Sequence, residues 1–299
     1  MHATAPRRDT SGGAPDLESA VTIVIVTRDR RDELLTTVAR LRETASAAPI
    51  VVVDNGSTDG TPAAVRQRHP DDVTVVELGR NMGGAGRNVG VRLASTPYVA
   101  FSDDDSWWAP GALERAAEAL DRCPRLAVVA ARVLVGVDDR LDPVCEAMRN
   151  SRLPAEPDLP GPAVLGFVAC GAVVRRDAYL AVGGFHEFLG VGGEEQLLAI
   201  DLRSAGWGLA YVDSVVAHHH PSPVRDPGAR CRRQAANRLL TALLRRPLGV
   251  VVARTAAALI ADGASRRALL DVAAVLPAVL RERRVVDKGV EERLRLIET

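Results

Sequence analysis

Between Val21 and Asp103 four short apolar runs alternate with three amphipathic stretches, and this alternation limits the fold more than any other feature. VTIVIVT (Val21–Thr27) is followed by Leu34, Leu35, Val38 and Leu41 at three- and four-residue steps, a strand and then a helix. PIVVVD (Pro49–Asp54) and VTVVEL (Val73–Leu78) repeat the unit, and PYVAFSD (Pro97–Asp103) supplies a fourth strand. Strands this continuously apolar are buried on both faces, which calls for a mainly parallel sheet covered by helices. Ligands of such sheets sit at the carboxyl ends of the strands, so the polar residues that close each run are where chemistry is sought.

Beyond Pro110 a helix carrying Leu113, Ala116, Ala117 and Leu120 leads into the strand-like RLAVVAARVLVG. Residues 136–162 hold Pro143, Pro154, Pro157, Pro160 and Pro162, which predicts a long loop over one face that acts as a lid or acceptor site. Order resumes with AVLGFVACGAVVRR, a helix from about Asp177, a glycine-rich loop with Phe185 and Phe188, a helix over 194–205 and the strand GLAYVDSVVAH. From about residue 226 the pattern is helical only. The expected division is a disordered segment 1–20, an α/β domain over 21–225 and a helical extension over 226–299.

Charge narrows the function. Lys plus Arg and Asp plus Glu each number 38, so a nucleic-acid-coating role has no electrostatic basis. The balance is uneven, however: from Arg225 onward basic residues exceed acidic ones by 8. A basic helical extension can pack on the α/β domain or lean on anionic lipid, which leaves peripheral membrane contact at an inner membrane face open. Four widely spaced cysteines, a polar N-terminus and no run of about 18 apolar residues fit a reducing, cytoplasmic setting. Homo-oligomerisation is left open as well.

The strongest chemical signal is Asp103-Asp104-Asp105 at the end of an apolar strand. Three adjacent acids in a ligand crevice repel one another, and a divalent cation held by oxygen, Mg²⁺ or Mn²⁺, offsets the repulsion and binds phosphate. Asp54 closes the second strand in VVVDNGSTDGT, either as a turn former or as an acceptor for a base or ribose. Arg87 lies in a glycine-rich segment whose Gly84, Gly86 and Gly90 loosely match a dinucleotide fingerprint, though in the third unit rather than the first. Glu194 and Glu195 open a helix, where they favour the dipole and where either can serve as a general base. His218, His219 and His220 end a late strand and alternate faces, so one imidazole can join a metal site.

In order, VTIVIVTRDRRDELLTTVARL, VVVDNGSTDGT, the RN-x-G segment, FSDDDSWW, CGAVVRRDAYLAVGGF, GGEEQLLAIDLRSAGW and the terminal histidines resemble the inverting glycosyltransferases of family 2. The resemblance covers about residues 21–225. It implies a GT-A fold, that is, a Rossmann-like, mixed but mainly parallel sheet with helices on both faces, here with a C-terminal helical appendage. It implies that Thr27, Arg28, Asp54 and Arg87 line the nucleotide pocket, with Asp103 and Asp104 near the nucleotide sugar. Asp105 is then the main metal ligand, aided by Asp103 and by His218 or its close rival His220. Glu195 stands where the family usually has the aspartate base, with Glu194 as its substitute. No Q-x-x-R-W motif is present, which argues against a processive synthase.

These residues imply one displacement. Glu195 removes the acceptor hydroxyl proton while that oxygen attacks the anomeric carbon of a nucleoside-diphosphate sugar, and a divalent ion offsets charge on the leaving diphosphate. The acceptor is a glycan, a lipid-linked sugar or a small molecule. Two other readings compete: a non-catalytic nucleotide-sugar or partner-binding protein on the same fold, and a nicotinamide-dependent oxidoreductase using the Gly84–Gly90 loop.

Overall fold

The computed structural model describes residues 17–221 and 227–298. Of the segment expected to be disordered, residues 1–16 lie outside the described residues, as does the expected boundary at 225. Residues 17–20 are an ordered turn, with Glu18 accepting the Ala47 and Ala48 amides at 2.5 and 3.2 Å.

Strands β1 (Val21–Thr27), β2 (Ile50–Asp54), β3 (Val73–Glu77) and β4 (Tyr98–Asp103) alternate with helices α1 (Arg31–Thr44), α2 (Thr61–Arg68) and α3 (Gly86–Leu93). Then come β5 (Ser106–Trp108), α4 (Ala112–Arg122), β6 (Leu126–Val135), β7 (Arg140–Leu141), α5 (Pro143–Arg149), β8 (Ala172–Arg175), α6 (Arg176–Ala181), α7 (Glu195–Ser204) and β9 (Gly208–His219). They build one sheet in the order β3-β2-β1-β4-β8-β6-β9-β5, with β7 paired to β6. The longer ladders are parallel: β2 and β4 flank β1, β3 flanks β2, and β9 flanks β6. Antiparallel β8 joins the two halves. The mixed, mainly parallel sheet expected from the apolar runs is the one observed.

Strand alternation divides the core. Ile23 and Ile25 face α1 and α4 through Leu34, Val38, Leu41, Leu113 and Leu120, whereas Val24, Val53 and Phe101 face α3, α6 and α7 through Val91, Tyr179 and Leu198. Helix α3 lies so close to the sheet that a Cβ on Gly90 would stand 2.4 Å from Val24 Cγ1, and only glycine fits there. Parallel register brings Thr27 opposite Asp54 and Val26 opposite Asp103, so three strand ends finish level.

The proline-rich stretch is not a lid over the cleft. It folds into β7 and α5 and is then pinned to the body: Glu156 binds Arg125 (2.5 Å), Arg203 (3.1 Å) and Arg293 (2.9 Å), and Leu159 packs against the core. Its charges and apolar residues find partners on the fold itself, which removes the freedom a lid needs.

Helices α8 (Pro227–Arg245), α9 (Leu248–Ile260), α10 (Gly263–Arg281) and α11 (Lys288–Glu298) form the extension. Leu239, Leu240 and Leu244 of α8 pack with Ala268, Val272 and Val279 of α10, and the same cluster includes Leu189 and Leu197 from the α/β part. Arg245 grips Asp201 of α7 with two hydrogen bonds of 2.5 and 2.9 Å. Buried Arg246 is held by Glu291 at 2.7 Å and Glu298 at 2.6 Å. All four cysteines are unpaired, in keeping with the absence of a disulfide framework.

Candidate active site

A cleft of about 730 Å³, large enough for a nucleotide-sized ligand, opens at the level strand ends. Thr27, Arg28, Arg30, Asn55, Arg87, the Asp103–Asp105 triplet, Cys170, Glu194, Glu195 and His219 line it. The apolar strands β1 and β4 carry their polar last residues out of the core and into this cleft, which is why it is so densely charged.

Buttressing around the acidic triplet is extensive. The Asp103 amide donates to Ser106 Oγ (2.7 Å), Thr37 donates to the Asp104 carbonyl (2.8 Å), and Thr27 donates to Asp104 Oδ2 (3.0 Å). Arg30 lies 3.8 Å from both Asp104 and Asp105. Burial, reinforced by Asp103 and Asp105, pushes the Asp104 carboxyl up to about 7 against the pull of Arg30 and Thr27. Arg87, almost fully buried, binds Asp103 at 2.5 Å and Glu194 at 3.5 Å and lies over the Phe185 ring. Burial works against its charge, yet Asp103, Glu194 and Glu195 together hold the guanidinium above the usual arginine range.

The two glutamates are in different situations. Glu194 is buried, ion-paired with Arg87 and bonded to the Gly192 amide. Gly84 leaves room for this carboxylate, since a Cβ at that position would stand 2.8 Å from Oε1 and force it to shift. Glu195 is half-buried and accepts from the amides of Ala169 and Gly193, each at 3.2 Å. Burial, with the negative Glu194 beside it, pushes Glu195 up to about 8. The loop before them is set from both sides. Asn88 takes the Phe185 amide (2.9 Å) and donates to its carbonyl (2.8 Å), while Asn237 of α8 donates to the carbonyls of Gly190 (2.5 Å) and Gly192 (3.0 Å).

The donor set at the triplet suits a divalent cation. Ligand atoms of Asp103, Cys170 and His219 lie within 4.8 Å of one another, and His219 Nε2 is 3.3 Å from Asp105 Oδ1. Carboxylate, imidazole and thiol together are a transition-metal donor set.

The family profile described as glycosyl transferase family 2 matches residues 22–183, more than half of the chain. The chain belongs to glycosyl transferase family 2. It is therefore a glycosyltransferase, and the oxidoreductase and non-catalytic readings give way. It is 28% identical over 220 residues to the N-acetylglucosaminyl-diphospho-decaprenol L-rhamnosyltransferase of Mycobacterium tuberculosis, covering 60% of this chain and 69% of the relative. It is 32% identical over 218 residues to the pre-mycofactocin glycosyltransferase of the same organism, covering 70% of this chain and 45% of the relative. The fold is shared with mannosyltransferase PcManGT from Pyrobaculum calidifontis, solved in complex with GDP-Man and Mn²⁺, with a TM-score of 0.59 and 23% identity over 93% of this chain and 84% of that one.

In this glycosyltransferase most of the residues singled out in the sequence converge on the cleft, and some do not. Neither His218 nor His220 faces the acids: His218 pairs with Asp139 (2.9 Å) and stacks on Trp107, and His220 meets the edge of the same ring. His219 takes their place because β9 bulges. Ala131 pairs with Val212 but Arg132 pairs with Val216, which reverses the parity of everything downstream. Asp54 spends one oxygen on the Gly56 and Ser57 amides (3.1 and 2.9 Å), and its buried Oδ1 has no partner among the described residues, while Asn55 is the residue that lines the cleft. Phe185 packs in the core and Phe188 against the extension, so the loop's aromatics do not wrap a ligand. Gly84, Gly86 and Gly90 make room for Glu194, Asn55 and Val24, a packing role rather than a dinucleotide cradle.

Sequence reasoning missed Arg30, Cys170 and the α8 residues Arg230 and Arg233, all of which line the cleft. Arg30 was legible as a charge three residues past a strand end. Cys170 sits inside the apolar run AVLGFVACGAVV, and nothing local marks it or the α8 pair.

Proposed function

We propose that this glycosyltransferase moves a sugar from a nucleoside-diphosphate sugar to an acceptor hydroxyl in a single displacement that inverts the anomeric carbon, with Glu195 as the base. The observation that carries this reading is the place of Glu195, a half-buried carboxylate that lines the same cleft as the Asp103–Asp105 triplet, held by the amides of Ala169 and Gly193; burial pushes it up to about 8. A carboxylate that basic takes a proton well from an attacking hydroxyl, a role worth about 10²–10⁴-fold in rate. Glu194, held by Arg87, serves to fix Arg87 against Asp103.

Thr27, Arg28 and Asn55 would receive the nucleotide at the first two strand ends, with Asp103 and Asp104 toward the sugar. Asp103, Asp105 and His219 would hold Mg²⁺ or Mn²⁺, which when bound supplies Lewis-acid stabilisation of the departing diphosphate. The bond from the acceptor oxygen to the anomeric carbon forms as the bond to the diphosphate oxygen breaks. The hydroxyl proton passes to Glu195, and the electron pair leaves with the nucleoside diphosphate. For the acceptor we propose a sugar carried on a lipid diphosphate. One relative is named for such an acceptor, and Arg230 and Arg233 offer guanidinium groups in the cleft. Residues 21–225 would then be the transferase unit and 226–299 its docked extension.

Glu195→Gln tests the assignment, because it removes the proton acceptor at nearly constant size. Nucleoside diphosphate release is expected to fall by about 10²–10⁴-fold, while the rise in unfolding midpoint on adding a nucleoside diphosphate with Mn²⁺ persists. Undiminished turnover in the variant, or a product of the wild type with retained anomeric configuration by NMR, overturns the proposal.

A further inference from the structure

Thirteen large hydrophobic side chains stand exposed among the described residues, and nine of them lie beyond Arg245. The four elsewhere, Leu93, Val137, Val144 and Val191, are scattered singly and need no explanation. Those on α9 and α10 are organised. Leu248, Val252 and Leu259, with Ala256 between them, recur at steps of four, four and three along α9, and Ile260 at its end is 87% exposed. On α10 the exposed Leu270, Ala273, Ala274, Pro277 and Leu280 lie on the side away from the buried Ala268, Val272 and Val279.

Charge brackets this apolar surface. Exposed Arg266 and Arg267 stand at one end of the α10 stripe and exposed Arg281 and Arg284 at the other, and α9 carries no acid at all. An apolar face flanked by arginines at helix ends is the composition of a helix that lies in a lipid interface, apolar side chains down and guanidinium groups at the headgroups. No helix among the described residues is long and apolar enough to cross a membrane.

We infer that the α9–α10 hairpin seats this protein on an anionic lipid surface. Packing fixes the orientation. Arg232 of α8 pairs with Asp271 of α10, and Arg283 reaches the carbonyl of Leu243, so α8 and α10 run in the same direction. The α9–α10 turn therefore lies level with the first turns of α8, where Arg230 and Arg233 line the cleft. A bilayer that meets this turn is level with the Arg230–Arg233 end of the cleft. The inference concerns lipid binding alone and holds whether or not Glu195 is the base.

The test is co-sedimentation of the full chain with vesicles of phosphatidylcholine alone or mixed with phosphatidylglycerol, without donor or acceptor. Binding is expected to the phosphatidylglycerol vesicles and to weaken with salt. Arg266→Gln with Arg267→Gln is expected to lower the partition coefficient about thirtyfold, at about 1 kcal/mol per basic residue, and Leu270→Glu to abolish sedimentation. Both variants keep the wild-type unfolding midpoint and its rise with nucleoside diphosphate and Mn²⁺. Absence of binding to anionic vesicles, equal binding to both vesicle types, or a concentration-dependent dimer that Leu270→Glu dissociates overturns the inference.

Discussion

Arginine is used in opposite ways in the cleft and in the helical extension. In the extension the buried guanidinium groups are matched by acids: Arg245 by Asp201, and Arg246 by Glu291 and Glu298, which Arg295 and Arg254 also bind from their outer sides. In the cleft Arg30 and Arg87 are shared among Asp103, Asp104, Asp105 and Glu194, and acids remain in excess. Matched charges hold the fold together. An open account of charge raises carboxyls, as at Asp104 and Glu195, and marks a site that takes a cation and a proton during its work.

The contrast can be broken at either end. The largest effect is expected from Arg246→Ala, which empties a buried position and leaves Glu291 and Glu298 only their outer partners Arg295 and Arg254; it should cost about 3 kcal/mol of stability, read as a lower urea midpoint, with turnover per folded molecule unchanged. Equal loss of stability and turnover would erase the distinction between the regions.

Next is pH. Glu195 must be unprotonated to act, and its raised carboxyl is protonated below about 8. The value of kcat/KM should therefore climb about tenfold per unit from pH 6 toward 8, a slope of one proton. The smallest effect separates the histidines. His219→Ala should raise the Mn²⁺ concentration for half-maximal activity about tenfold or more, whereas His218→Ala, which loses an exposed contact with Asp139, should leave it unchanged. A reversed order would mean that the β9 bulge does not decide which imidazole meets the metal.

What was legible in the sequence follows from how local each signal is. β1, β2 and β4 are continuous apolar runs closed by an acid or threonine, so both their limits and the acidic triplet could be placed from Val21–Thr27, Ile50–Asp54 and Tyr98–Asp103 alone. Parity at His218–His220 could not, because the alternation that predicts it is interrupted between Val212 and Val216 by a bulge that no residue announces. The different circumstances of Glu194 and Glu195 depend on Arg87 and Gly84, more than a hundred residues earlier. The proline-rich stretch misled because Glu156 is anchored by Arg125, Arg203 and Arg293, partners distant in the chain.

The two hydrogen bonds from Asn237 to Gly190 and Gly192 also set a rule for building chimeras. A graft that cuts the chain between the glutamate loop and α8 leaves that loop without its outer support and uncovers Leu189 and Leu197. The loop therefore cannot be swapped as a cassette: whatever is transplanted must travel with the helix that grips it, and the natural unit of exchange runs from Phe185 through Arg245.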